Sequence, residues 1–209
     1  AIDRALRQGE FRDRFDIKQH LAVHVGDIQK CLLRHKPHIV HFSGHGIKSN
    51  EIILINNFVR SYSVPPDDLS NLFSTLKDNI QCVVLNACYS EQQARAIAEH
   101  IDCVIGISGE IGDKSAIRFA TAFYRALGYG RDIKTAFDLG CGEIHLENLG
   151  EQNKPRLLDR RNKAAKIRFA YRGDERLKPE LQAKKRRDEK EIQKENHRMV
   201  QNINITGGQ

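Results

Sequence analysis

The sequence predicts an α/β domain with a mainly parallel sheet that helices cover on both faces. Three short apolar runs, HIVHFSG, QCVVLNA and DCVIGIS, have the length and composition of buried strands. Amphipathic helical patterns separate them, and strands that are apolar on both faces are typical of parallel sheets buried between helices. The 209 residues are enough for one domain with a real core and a tail.

The elements that precede the central run are a helix, a strand, a helix and a hairpin. Helical spacing of Ile2 and Leu6 predicts a helix that ends near Gly9, and the alternation of Phe15–Val23 predicts a strand. A second helical pattern begins near Asp27 and is closed by Pro37. The buried strand of residues 38–44 follows, and residues 51–57 are expected to pair nearby as a hairpin after a turn.

Helices and strands then alternate regularly. Residues 65–79 begin with two prolines and early carboxylates, which favour a helix N-terminus, and residues 81–87 are the most hydrophobic strand. Ser90 and Gln93 have capping-box spacing at the start of the next helix. The third buried strand (residues 102–108) and two helices (residues 113–127 and 131–148) complete the pattern.

The net charge of +7 is local, since residues 154–172 have eight basic side chains and one acidic one. We interpret this basic strip as a solvated or partner-facing surface, with nucleic-acid binding as the minor alternative. Residues 1–172 form the predicted domain. Residues 173–209 are densely charged, and we interpret them as a linker to another region, the alternative being a disordered end.

The five cysteines are an odd number without the spacing of a disulfide framework, and Cys82 and Cys103 lie inside apolar runs. This usage favours a reducing compartment and therefore a cytoplasmic protein. The chain contains no apolar run close to the roughly 20 residues of a membrane span, and no signal peptide opens it.

Two strand ends have residues suited to covalent catalysis. In open parallel sheets, sites form outside the carboxyl ends of strands, where His45, Gly46 and Cys88 are placed. Free N–H groups of the following helix favour a thiolate at Cys88, and a neutral His45 imidazole would activate it. The backbone N–H groups of Gly46 and Cys88 could bind an oxyanion.

Each of these residues also has an ordinary structural interpretation. A cysteine at a strand end is most often a core residue, and a His-Gly pair is most often a turn. A zinc site built from His38, His41, His45 and Cys88 lacks a recognisable ligand spacing, so we expect no metal.

The ordered pair HFSGHG and LNACYS, in a helix-covered sheet, resembles the caspase-like cysteine peptidases and, among them, the CHAT domains, related to caspases and separase. The resemblance extends from about Ile2 to Leu158. It implies a caspase-like sheet, a catalytic histidine at His45, a nucleophile at Cys88, an oxyanion glycine at Gly46 and no cofactor. CHAT domains usually begin with a strand, and none precedes Ile2, so we expect this chain to lack it.

The resemblance also implies a substrate pocket lined by Asn86, two positions before the nucleophile. Relatives that cleave after Arg or Lys often have an acid there, so asparagine argues against a strong basic preference. Glu110 or Asp113 could supply an acid instead, although we favour a helix-cap role for Asp113.

The resemblance implies a cysteine endopeptidase that cleaves protein substrates through a thioester, without a metal or an organic cofactor. It further implies a regulated effector in bacterial signalling, defence or cell death, with a regulatory or sensor domain fused or tethered to it, for which the C-terminal tail is suited. The alternative is a non-catalytic caspase-like interaction module, and a nucleic-acid-binding domain is a weaker one.

Overall fold

The computed structural model describes residues 1–21, 24–49, 51–55 and 61–171, and Ala1–Ala170 form one compact unit. The predicted charged extension of residues 173–209 lies outside the described residues. The helices are α1 (Ile2–Arg7), α2 (Val25–His35), α3 (Pro66–Thr75), α4 (Glu91–Ala98), α5 (Asp113–Gly128) and α6 (Ile133–Leu146). The strands are β1 (Ile39–Ser43), β2 (Gly46–Ile47), β3 (Glu51–Ile55), β4 (Ser61–Val64), β5 (Cys82–Asn86), β6 (Cys103–Ile107) and β7 (Pro155–Asp159).

The central sheet has the strand order β1-β5-β6-β7. The first three strands run parallel, and β7 is antiparallel to β6. Ser43 lies opposite Asn86, so β1 and β5 end at the same level. The prediction of a mainly parallel sheet is confirmed.

Helices cover both faces of this sheet because the side chains of each strand alternate between them. Cys82 and Val84 of β5 pack in a core cluster with residues of α1, α5 and α6. Val83 and Leu85 pack in a second cluster with residues of α2, α3 and α4. These clusters explain why the strands are apolar at consecutive positions, and the predicted coverage of both faces is confirmed.

A small antiparallel sheet of order β2-β3-β4 follows the end of β1. Gly46 pairs with Ile52 across the β2–β3 hairpin, which confirms the hairpin that the sequence predicts. Because β2 begins at Gly46, the segment that leaves β1 enters this sheet directly after His45.

The strand predicted at Phe15–Val23 is wrong for its described part, since residues 15–21 form no strand. A strand needs a neighbour for its backbone groups, and neither sheet of the described structure includes this segment. Ile17 and Leu21 are accordingly 39% and 80% exposed.

The sequence interpretation missed β7, which lies within the basic strip. As an edge strand, β7 tolerates charged side chains that conceal the strand pattern. None of the described helices combines the length and the apolar character that crossing a membrane requires.

Candidate active site

The ends of β1 and β5 bring His45, Gly46 and Cys88 to one edge of the central sheet. A β-carbon built on Gly46 would overlap the carbonyl oxygen of Cys88 and would lie 3.5 Å from the Cys88 amide nitrogen. The two backbones therefore touch, and glycine is required here because of this close approach. The catalytic roles of the three residues stay predictions.

The thiol of Cys88 lies against the loop that follows β6. The amide nitrogen of Ile111 donates a hydrogen bond to the Cys88 Sγ at 3.4 Å. The thiol in turn donates a hydrogen bond to the Ile111 carbonyl oxygen, which lies 3.6 Å from the sulfur. Cys88 is half-buried, and its sulfur is held by this loop.

The turn after Cys88 has a left-handed backbone. Tyr89 has φ of 55°, and its amide donates a hydrogen bond to the carbonyl of Gly109 at 2.9 Å. A non-glycine residue in this conformation costs about 1 kcal/mol or more, and such residues cluster at functional sites. The left-handed residue turns the chain sharply from β5 into α4 and leaves Cys88 at the bend.

The capping box predicted at Ser90 and Gln93 is wrong, because both side chains bind elsewhere. The Ser90 hydroxyl donates to the Leu85 carbonyl at 2.8 Å and accepts from the Ile107 amide at 3.0 Å. The Gln93 amide donates to the Val64 carbonyl at 2.6 Å. Ser90 therefore joins the ends of β5 and β6 beside Cys88, and α4 begins without a side-chain cap.

Two histidines of the first motif have opposite environments. His41 packs against Tyr124, with 3.1 Å between its Nδ1 and the phenol oxygen, and its Nε2 is buried. Burial lowers the pKa of His41 to about 4, so this side chain is neutral at pH 7. His45 is exposed, and its carbonyl accepts a hydrogen bond from the Ile53 amide at 3.0 Å.

Asn86 is buried at the end of β5, with 7% of its surface exposed. Its side-chain nitrogen donates to the Ala116 carbonyl at 3.1 Å, whereas its Oδ1 is buried and has no hydrogen-bond partner among the described residues. Glu110 and Asp113 are exposed, and neither forms a hydrogen bond with Asn86 in the described structure.

The cap role predicted for Asp113 is wrong, since Gly112 is the N-cap of α5.

Sequence reasoning missed two residues that hold the loop beside Cys88. The carboxylate of Glu151 accepts the Gly112 amide at 3.1 Å, and the Lys154 ammonium lies 2.7 Å from the same carboxylate. The basic-strip interpretation treated Lys154 as part of a solvated surface. Residues 151–154 form a turn and not a helix, so the spacing rule for charges on a helix gives no signal for this pair.

Among the described residues, no group of three or more His, Cys, Asp or Glu side chains could hold a metal ion. Of the four residues considered and rejected as a zinc site in the sequence, His38, His41, His45 and Cys88, His41 is in contact with Tyr124 of α5.

Comparison with known proteins gives a family and two protease-named relatives. The family model of the CHAT domain matches residues 1–138. A Roc-COR-CHAT protease from an unknown prokaryotic organism is 29% identical over 118 residues, which are 54% of this chain and 11% of that protein. A probable protease of Gillisia limnaea is 27% identical over 161 residues, which are 75% of this chain and 27% of that protein. The chain thus spans about a quarter or less of the length of these relatives.

Proposed function

The chain belongs to the CHAT domain family, and on that basis we propose that it is a cysteine endopeptidase with Cys88 as nucleophile and His45 as general base. The observation that supports this proposal most is the contact of the Gly46 backbone with the Cys88 backbone. This contact supports the proposal that a histidine and a cysteine from two different strand ends face one crevice, as a Cys-His dyad requires. The protease names of both relatives agree with it.

The proposed reaction has two halves. His45 accepts the proton of the Cys88 thiol, and the sulfur attacks the scissile carbonyl carbon while the N–H groups of Gly46 and Cys88 bind the oxyanion. The tetrahedral intermediate collapses to a thioester, and the amine leaves with the proton that His45 returns. Water, deprotonated by His45, then attacks the thioester, the C–S bond breaks, and His45 returns the proton to the Cys88 sulfur as the acid leaves.

The proposed substrate is a protein whose side chain before the cleaved bond enters a pocket at Asn86. Because the Asn86 nitrogen is bound to Ala116, the group proposed to bind the substrate is the Oδ1 acceptor, which is buried here and would be exposed as the pocket opens for a substrate. An acceptor without charge favours a side chain that donates a hydrogen bond, with a weaker preference for Arg or Lys than a carboxylate would give. Glu110 and Asp113 are exposed, and they are the candidate acids for this pocket.

We further propose that regulatory domains control this activity in the cytoplasm, as an effector in signalling, defence or cell death. Support comes from the Roc-COR-CHAT protease, of which this chain matches one part. All five cysteines are free thiols, which agrees with a reducing compartment.

The experiment that tests the dyad is alkylation of Cys88 with iodoacetamide at neutral pH, measured by peptide mass spectrometry in the wild type and in His45→Ala. We expect Cys88 to react fastest of the five thiols, and His45→Ala to slow it by about tenfold or more, because the base is lost. Cleavage of a denatured-protein mixture, with Cys88→Ala as the control, then tests peptidase activity.

One observation favours the alternative of a non-catalytic interaction module. The hydrogen bonds that the described structure gives to the Cys88 sulfur both involve Ile111, and neither involves His45. If alkylation of Cys88 is the same in the wild type and in His45→Ala, the dyad is not assembled, and the interaction module becomes the better proposal.

A further inference from the structure

The loop of residues 108–112 connects β6 to α5 and binds both Cys88 and the next residue, Tyr89. The Ile111 amide donates to the Cys88 sulfur, and the Gly109 carbonyl accepts from the Tyr89 amide next to it. The position of this loop therefore decides whether a peptide N–H is aimed at the sulfur. The hydrogen bond from the Ile111 amide favours the anionic sulfur, which is the reactive form. The Ile111 carbonyl lies farther away, at 3.6 Å, and accepts a hydrogen bond only while the thiol is protonated.

Two residues that follow α6, Glu151 and Lys154, hold this loop in turn. The Lys154 ammonium donates to the Glu110 carbonyl and to the Glu151 carboxylate. The Lys154 carbonyl accepts from the Ser108 amide at 2.9 Å. Lys154 therefore binds Glu110, which precedes Ile111, and Glu151 binds Gly112, which follows it. The two residues hold the chain on both sides of Ile111.

The Glu151 carboxylate is strongly bound. It accepts the Gly112 amide at 3.1 Å, and it is hydrogen-bonded to the buried Ser115 as well as to Lys154. Burial alone would raise the pKa of Glu151, but the hydrogen bonds from Lys154, Ser115 and Gly112 outweigh it and lower the pKa below its usual value. Glu151 is therefore an anion at neutral pH, so its hydrogen bond with the Lys154 ammonium joins two opposite charges.

We propose that Glu151 and Lys154 are positioning residues for the Cys88 thiol, because together they hold the loop of residues 108–112 so that the Ile111 amide stays on the sulfur. The proposal rests on the nucleophile role of Cys88 in the proposed function. Both residues lie beyond residues 1–138, the part that the CHAT family model matches. They touch the reacting atom only through the loop.

The test is the iodoacetamide rate of each cysteine in the whole chain at neutral pH, in Lys154→Met, Lys154→Arg and Glu151→Gln. Lys154→Met removes the ammonium, and we expect Cys88 to react about fivefold more slowly, the scale of one weakened hydrogen bond. Lys154→Arg keeps a cation with several donors and is expected to restore the rate to within about twofold. Glu151→Gln keeps an acceptor for Gly112 but loses the charge, so an intermediate rate is expected.

A matched control is Lys163→Met. Lys163 pairs with Asp102 at 2.8 Å and is similarly exposed, at 40% against 35% for Lys154, but its partner does not touch the loop of residues 108–112. Cys82 and Cys103 are wholly buried and report unfolding, because they react only when the core opens. A variant in which they react quickly has lost its fold, and the comparison then relies on Glu151→Gln and Lys154→Arg.

An unchanged or faster Cys88 rate in folded Lys154→Met and Glu151→Gln overturns the proposal. The proposal is also overturned if Lys163→Met slows the alkylation of Cys88 as much as Lys154→Met does. A separate His45→Ala measurement distinguishes this failure from failure of the dyad. If His45→Ala has no effect while Lys154→Met slows Cys88, the positioning role stands and the catalytic role of His45 falls.

Discussion

The two strand ends that meet at the candidate site differ in how tightly the rest of the molecule holds them. After β5, Cys88 is hydrogen-bonded to Ile111, and Tyr89 is hydrogen-bonded to Gly109. The next residue, Ser90, joins the ends of β5 and β6. After β1, His45 is exposed, and its carbonyl accepts one hydrogen bond from the small sheet. The fold thus fixes the proposed nucleophile, while the proposed base is placed mainly by the approach of Gly46 to Cys88.

Gly46→Ala tests the contact that joins the two ends, and we expect the largest effect there. The new methyl group would overlap the Cys88 carbonyl oxygen, which is backbone and cannot rotate away. The two ends must separate, and a misplacement of about 1 Å costs a peptidase roughly 100-fold in rate. Cleavage of a protein mixture, with Gly142→Ala as the open-space control, measures this. Full activity in Gly46→Ala would show that the two ends do not work together.

Ser90→Ala tests the tightly held end. Removing the hydroxyl leaves the buried Leu85 carbonyl and Ile107 amide with one partner fewer, so the free energy of unfolding should fall by about 2 to 3 kcal/mol. Urea unfolding measures it. Thr75→Ala is the matched control, since that exposed hydroxyl binds the Asn71 carbonyl within one helix. An equal, small loss in both variants would mean that Ser90 does not hold β5 and β6 together.

The pH dependence of unfolding tests how firmly β1 is packed upstream of its end, because His41 of this strand is buried. Unfolded histidine takes up a proton below a pKa of about 6.5, whereas folded His41 does so only below about 4. Stability is therefore complete above about pH 6.5 and falls as the pH falls towards 4, by about 2 to 3 kcal/mol. Urea unfolding at pH 7.5 and 4.5 should show this loss in the wild type and much less of it in His41→Gln. The same loss in both would assign it to other groups.

His45→Ala is expected to have the smallest effect on stability. The side chain is exposed, and the backbone hydrogen bond from Ile53 does not depend on it. The free energy of unfolding should change by less than about 0.5 kcal/mol, while the reactivity of Cys88 falls. Thermal unfolding and alkylation on the same sample separate the two effects. A large stability loss without a change in reactivity would make His45 a structural residue.

The parts of this arrangement that sequence could predict are those with a strong local pattern. The apolar runs of β1, β5 and β6 predicted a parallel sheet, and the rule for strand ends then placed His45 and Cys88 at one edge. The prediction at Phe15–Val23 failed because alternation alone does not supply a neighbouring strand.

The contacts around Cys88 could not be predicted, because they depend on tertiary packing. Ser90 and Gln93 have the spacing of a cap, but burial directs both side chains to other strands. In the sequence Lys154 has the character of a surface charge, but in the structure it binds Glu151 and the Glu110 carbonyl. The bonds from Gln93 to Val64 and from Lys154 to Glu110 join residues 29 and 44 positions apart, and such contacts leave no periodic signal in the chain.

Tyr89 has a consequence for anyone who engineers this domain. A search for stabilising substitutions would choose glycine at this position, since glycine adopts a left-handed conformation without steric cost. The same change would loosen the peptide next to Cys88, where the proposed chemistry needs a fixed geometry. Tyr89 is therefore a position at which gains in thermal tolerance and losses in turnover are expected to arise from one substitution.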